Sequence, residues 1–158
     1  MMEKRYDSFC GLYCGACDIF LANEAGSVNQ LAESWDISPE ELRCRGCKSR
    51  AHAYCCRDCT IRQCATGRQV EYCYQCVSYP CSRLMSFRYD IYPHHSIVLY
   101  NLACIERQGI AQWLRDQKDR WSCHACKAAF SWYEQTCSNC SETLYSCIEE
   151  ETAVRHHS

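Results

Sequence analysis

No stretch of this chain approaches the roughly 20 consecutive apolar residues that a membrane helix needs, so no membrane span is expected. The opening Met1-Met2-Glu3-Lys4-Arg5-Tyr6-Asp7 has basic residues but no apolar segment behind them. That argues against a secretory leader and for a cytoplasmic protein. At 158 residues the chain is too short for a barrel enzyme of about 250 residues; it fits one domain or two small ones. No Ser-His-Asp set, phosphate-cradling glycine loop or paired-carboxylate pattern stands out, so an enzyme is the less favoured class. Ordinary apolar residues are scarce too. The hydrophobic share of 47% counts 18 cysteines, and without them it falls to roughly 36%.

Cysteine is what the chain has in excess, above the level at which it is expected to organise a fold. In a short chain it signals disulfides outside the cell or metal inside it. Spacing favours metal. Six pairs are Cys-x-x-Cys: Cys14/Cys17, Cys44/Cys47, Cys56/Cys59, Cys73/Cys76, Cys123/Cys126 and Cys137/Cys140. Two intervening residues let a tight turn aim both sulfurs at one ion about 2.3 Å away. The formal net charge is −2 with neutral thiols. Four four-thiolate zinc sites would take it to about −10, because the thiolate is the binding form. Arg43, Arg45, Lys48, Arg50, Arg57, Arg62 and Arg68 lie in or beside the cysteine-dense middle. They read first as groups that offset thiolate charge and second as a nucleic-acid patch.

Along the chain, Cys10, Cys14 and Cys17 are interleaved with Gly11 and Gly15, which suits backbone wrapped closely around an ion. Residues 18–43 read as helical, with Val28, Leu31, Ala32 and Trp35 on one stripe. Ser38-Pro39-Glu40-Glu41 looks like a capping box opening a short helix that delivers Cys44. Within 44–81, Cys56-x2-Cys59-x4-Cys64 recurs as Cys73-x2-Cys76-x4-Cys81, suggesting two similar metal loops or two halves of a joint site. Residues 82–121 read as helices. Leu84, Phe87 and Ile91, then Ile97, Val98, Leu102 and Ile105, then Ile110, Trp113 and Leu114 form apolar stripes, with a break at Gly109. Cys104 reads as a buried thiol. Cys123, Cys126, Cys137 and Cys140 read as a short zinc ribbon, with Phe130, Trp132 and Tyr133 on a β-hairpin between the two pairs. The end of the chain, with Cys147 and His156-His157, reads as a frayed tail.

The expected fold is thus a small metal-stabilised α+β protein. It divides into a cysteine-rich metal-binding domain at 1–93, a helical connector at 94–120, a zinc ribbon at 121–141 and a flexible tail at 142–158. Eleven cysteines remain for the N-terminal sites: Cys10, Cys14, Cys17, Cys44, Cys47, Cys56, Cys59, Cys64, Cys73, Cys76 and Cys81. That is one short of three four-ligand sites, so Cys55 or His52 completes the set or one site keeps an open position. Zinc is expected in the ribbon. In the N-terminal domain zinc and an iron–sulfur cluster both suit the thiolate sets.

Cys10-Gly11-Leu12-Tyr13-Cys14-Gly15-Ala16-Cys17, Cys44-Arg45-Gly46-Cys47, Cys59-Thr60-Ile61-Arg62-Gln63-Cys64, Cys73/Cys76 and Tyr79-Pro80-Cys81 resemble the cysteine-rich domain-of-unknown-function 3795 family. The similarity runs from about residue 8 to 90. It implies metal binding, with zinc the metal generally assigned to the family, and an anaerobic host. Two departures stand out: Cys55 is additional, and Lys127 and Ser141 stand where ribbon knuckles usually carry glycine. The favoured function is a zinc-structured adaptor or regulatory protein with a protein partner. An iron–sulfur electron-transfer or accessory protein with a redox partner, and a nucleic-acid-binding module, are the alternatives.

Overall fold

The structure is a computed structural model that describes residues 4–157. Among the described residues eight α-helices follow in order: α1 Asp18–Ala25, α2 Val28–Trp35, α3 Tyr54–Arg57, α4 Thr60–Gly67, α5 Ser82–Arg88, α6 Val98–Gln108, α7 Ile110–Arg120 and α8 Cys147–His156. Short 3-10 turns occupy Cys14–Ala16, Pro39–Leu42, Cys73–Gln75 and Pro93–His95.

The α+β expectation is corrected. Among the described residues the only β pairings are isolated bridges, Asp7 with Tyr13, Ser122 with Ala129 and Thr136 with Thr143. The hairpin expected around Phe130, Trp132 and Tyr133 does not form, because its backbone groups are committed elsewhere. The Trp132 amide donates to the Ala16 carbonyl at 3.0 Å, and the Trp132 carbonyl accepts from the Cys147 amide at 2.7 Å. A strand cannot pair with its neighbour when the same N–H and C=O groups are already satisfied.

Helical expectations fare differently by position. The segment 18–43 is two helices and a 3-10 turn. Gly26 ends α1 in the left-handed region at φ 70°, a common helix stop. Ala32 is buried and Val28 and Leu31 pack beside it, but Trp35 is 42% exposed. Ser38 makes no side-chain cap; its carbonyl accepts from the Glu41 amide instead. Helix α5 ends at Arg88, which leaves Ile91 outside it and 85% exposed. Val98, Leu102, Ile105 and Trp113 are buried as their stripes require, and Gly109, at φ 84°, separates α6 from α7. The chain end expected to fray forms α8. Its Ser146 side chain accepts from the Ile148 amide, and the Glu149 carboxylate accepts from the Ser146 amide at 2.9 Å, a reciprocal cap.

One apolar cluster runs from Cys10 and Tyr13 through Leu84, Val98, Leu102 and Trp113 to Phe130, Leu144 and Cys147. A smaller one joins Ile19, Ala32, Leu42 and Ala53. The N-terminal loop is tied to α6 by Asn101, whose buried amide donates to the Gly11 carbonyl at 2.9 Å.

A buried charge network fixes the cysteine-rich segments to one another. Lys48 Nζ lies 2.9 Å from Asp7 Oδ2 and 3.5 Å from the centre of the Tyr72 ring. The Tyr72 hydroxyl donates to Asp7 at 2.7 Å, and Arg5 donates to its other oxygen at 3.1 Å. Burial by itself would raise the Asp7 carboxyl, but hydrogen bonds from Arg5, Lys48 and Tyr72 hold it below its ordinary value. A depressed carboxyl stabilises the fold above its unfolded pKa of about 3.9, and the contribution is lost as pH falls through the folded value.

Gly46, at φ 101°, presses against the same region. A Cβ there would lie 1.8 Å from the Arg5 carbonyl oxygen, and the Arg5 amide donates to the Arg45 carbonyl. Gly46→Ala is therefore expected to prise residue 5 from the Cys44–Cys47 turn and lower the melting temperature. Lys48→Met removes one partner of a buried pair and is expected to cost about 3 kcal/mol in denaturant unfolding; an unchanged midpoint would contradict the network.

Candidate metal centre

Helix α7 ends at Arg120, and the chain then makes two near-identical turns. In the first, the Cys123 amide donates to Ala128 and the Lys127 amide donates back to Cys123, both at 2.8 Å. In the second, Cys137 pairs with Glu142 and Ser141 with Cys137, again at 2.8 Å. Each turn needs a left-handed residue to close, and Lys127 and Ser141 both adopt φ 64°. The positions where glycine is usual keep the glycine conformation without the glycine.

The two turns bring Cys123, Cys126, Cys137 and Cys140 together, with all four sulfurs within 4.8 Å of one another. The Cys123–Cys140 and Cys126–Cys137 separations are both 3.6 Å. A tetrahedral zinc with bonds of about 2.3 Å needs sulfurs about 3.8 Å apart, so the spacing fits a single ion. Cys123 and Cys137 are buried, Cys126 is half-buried and Cys140 is exposed. The Trp121 and Phe130 rings, 5.4 Å apart, pack at the base of the first turn.

The electrostatics suit ligation. The Cys126 thiol is pulled down to about 6, first by the Asn139 side chain and then by the Ala128 amide. For Cys140 the Glu142 amide favours the thiolate, but burial and the three neighbouring sulfurs outweigh it and push the group up to about 12. Four thiolates this close repel, so protons or a cation must lie between them; amide donors around the rim favour the ionised form that a metal takes. Asn139 was not singled out from the sequence, although its place inside the second Cys-x-x-Cys was the available signal.

The quartet is the one set of three or more possible ligands brought this close among the described residues. The other sequence candidates are spread through the N-terminal part. Cys14 lies in the field of Cys47, Cys17 and Cys44, and Cys17 in that of Cys56 and Cys44; burial comes first in pushing both thiols up, Cys17 to about 12. Cys10 is buried and lies 3.3 Å from the Ser8 hydroxyl. Cys47 is raised to about 11 by burial, with Cys59 and Cys56 nearby. Cys55 and Cys56 are exposed, their sulfurs 3.9 Å apart. His52 turns its Nε2 to the Cys47 carbonyl at 3.1 Å. Cys64, Cys73, Cys76 and Cys81 line one cavity. Cys104 and Cys147 are buried in the core, Cys104 within 3.5 Å of Arg107.

His94 holds the segment between the two turns. Its ring stacks on Trp132 at 4.0 Å and its Nδ1 meets the Tyr133 hydroxyl at 2.7 Å. Burial, then the neighbouring His95, pulls it down to about 3, so it is a neutral packing group and not a proton shuttle near neutral pH. Because a left-handed backbone costs a residue with a Cβ about 1 kcal/mol or more, Lys127→Gly and Ser141→Gly are each expected to raise the melting temperature of the metal-loaded protein. A fall in either would show that the side chain, not the turn, matters there.

No curated protein and no solved structure matches the chain. The family described as "Protein of unknown function (DUF3795)" matches residues 6–86. That stretch holds the N-terminal cysteines and excludes the quartet. The helix-anchored Cys10–Cys17 loop, the Cys44–Cys47 turn and the Cys73–Cys81 segment all fall inside it, and the chain belongs to this family of proteins of unknown function.

Proposed function

We propose that the protein is a zinc-structured adaptor or regulatory protein, with zinc at the Cys123/Cys126/Cys137/Cys140 quartet. The observation that carries this reading is the closed four-sulfur set, all within 4.8 Å. Four protein donors leave a tetrahedral ion no open position, which is the signature of a structural and not a catalytic site. The surroundings support it. The quartet sits between α7 and α8, and α8 is drawn in by the Cys147 amide bond to Trp132 and the Arg120–Glu150 ion pair at 3.3 Å. An ion there would tether the last helix to the core and replace apolar burial that the chain lacks.

The adaptor role also draws on Tyr89, Ile91 and Tyr92, three large side chains each at least half exposed in one short loop. Nucleic-acid binding is the weaker reading, because the basic residues of the cysteine-dense region are largely engaged within the chain. Arg62 donates to the Cys56 and Arg57 carbonyls, Arg57 pairs with Glu41, Arg43 with Glu40 and Lys48 with Asp7.

Cobalt substitution tests the closed site. A quartet with four protein ligands is expected to give a tetrahedral thiolate spectrum that added imidazole or cyanide does not alter. A spectrum that shifts with either would indicate an open position and a catalytic role. Cys126→Ser is expected to lower zinc content by one equivalent and to loosen α8, read as increased proteolysis after Trp121.

A further inference from the structure

Three cysteines of the second Cys-x2-Cys-x4-Cys segment do not stand alone. Cys73 opens the 3-10 turn Cys73–Gln75, Cys76 closes it, and Cys81 immediately precedes α5. Cys64, on α4, belongs by sequence to the preceding copy, yet it lines the same cavity as these three. The turn that presents Cys73 is pinned on both sides. Gln75 Oε1 accepts from the Glu71 and Tyr72 amides at 2.9 and 3.0 Å, and the Cys73 amide donates to the Phe9 carbonyl.

The cavity differs from the C-terminal quartet in kind. It has a volume of about 30 Å³, whereas a single water needs roughly 10–15 Å³. No three of its sulfurs lie within 4.8 Å of one another among the described residues. A lone tetrahedral ion draws its sulfurs to about 3.8 Å; four cysteines around one common void, not drawn together to that spacing, suit a group of several atoms. Ile61, Ala65, Val70 and Leu84 also line it, together with Arg68 and Arg83. Arg68 Nη1 lies 3.6 Å from Cys76 Sγ and so donates toward a sulfur.

We infer that Cys64, Cys73, Cys76 and Cys81 form a separate four-thiolate site for an iron–sulfur cluster. An iron–sulfur core of two positive charges held by four thiolates carries two net negative charges, which Arg68 and Arg83 are placed to offset. Hydrogen bonds to sulfur and nearby charge are the levers that set such a centre's potential. The site is independent of zinc at the quartet.

The test is the full chain made and purified without oxygen, then reconstituted with equal ferrous and ferric iron and sulfide, which together supply the two positive charges of the core. Iron and acid-labile sulfide in equal amounts are expected, with a visible absorbance that dithionite bleaches. Cys64→Ala and Cys76→Ala are each expected to remove the iron and sulfide while keeping the zinc and the helical circular dichroism, which separates loss of the site from loss of the fold. Retention of full iron in Cys64→Ala, or zinc in place of iron at these four thiols, would overturn the assignment without touching the quartet.

Discussion

Four sulfur atoms within 4.8 Å of one another cannot all ionise without a cation or shared protons between them, and the C-terminal third is arranged around that constraint. The two turns that carry the sulfurs copy each other down to the φ of the closing residue, 64° in each. The Ala128 and Glu142 amides face sulfurs, and between the turns Trp132 gives its N–H and C=O to Ala16 and Cys147. The result is a cross-linked corner: α7 leads in, α8 leads out, and Trp121, Phe130 and Leu144 fill the space behind. Where apolar residues are few, an ion held at such a corner would contribute folding energy that burial does not.

The N-terminal part meets the same scarcity with different means. Backbone passes very close to backbone at Gly46 and Gly11, and a carboxylate with three donors lies buried beneath the Cys44–Cys47 turn. Such a network is costly to break because any one loss leaves a desolvated charge. Other cations of the dense basic stretch are also engaged within the chain. Lys48 is spent on Asp7, Arg62 on the carbonyls that end α3, and Arg68 on Cys76. Cation and sulfur meet where Arg68 lies at Cys76 and Arg107 at Cys104.

How far the sequence could be read depended on the range of the interaction. Cys-x-x-Cys turns are local, so both C-terminal pairs were legible together with their joint use. Apolar periodicity is also local, and Leu84, Val98, Leu102, Ile105 and Trp113 are buried as their spacing implies. Ile91 kept the period but not the helix, because α5 stops at Arg88. The Ser146-x-x-Glu149 cap of α8 lies in the sequence as a local signal, within an acidic stretch whose composition reads as a tail.

The sequence by itself determined which turns present paired cysteines and which helical faces are apolar. These follow from residue type and spacing within a few positions. Only the tertiary structure decided that Trp132 pairs with Ala16 and Cys147 and not within a hairpin, and that Cys64 leaves its own repeat to line the cavity of the next. Both depend on which distant backbone or side chain arrives first at an unsatisfied group, and sequence spacing carries no information about that competition.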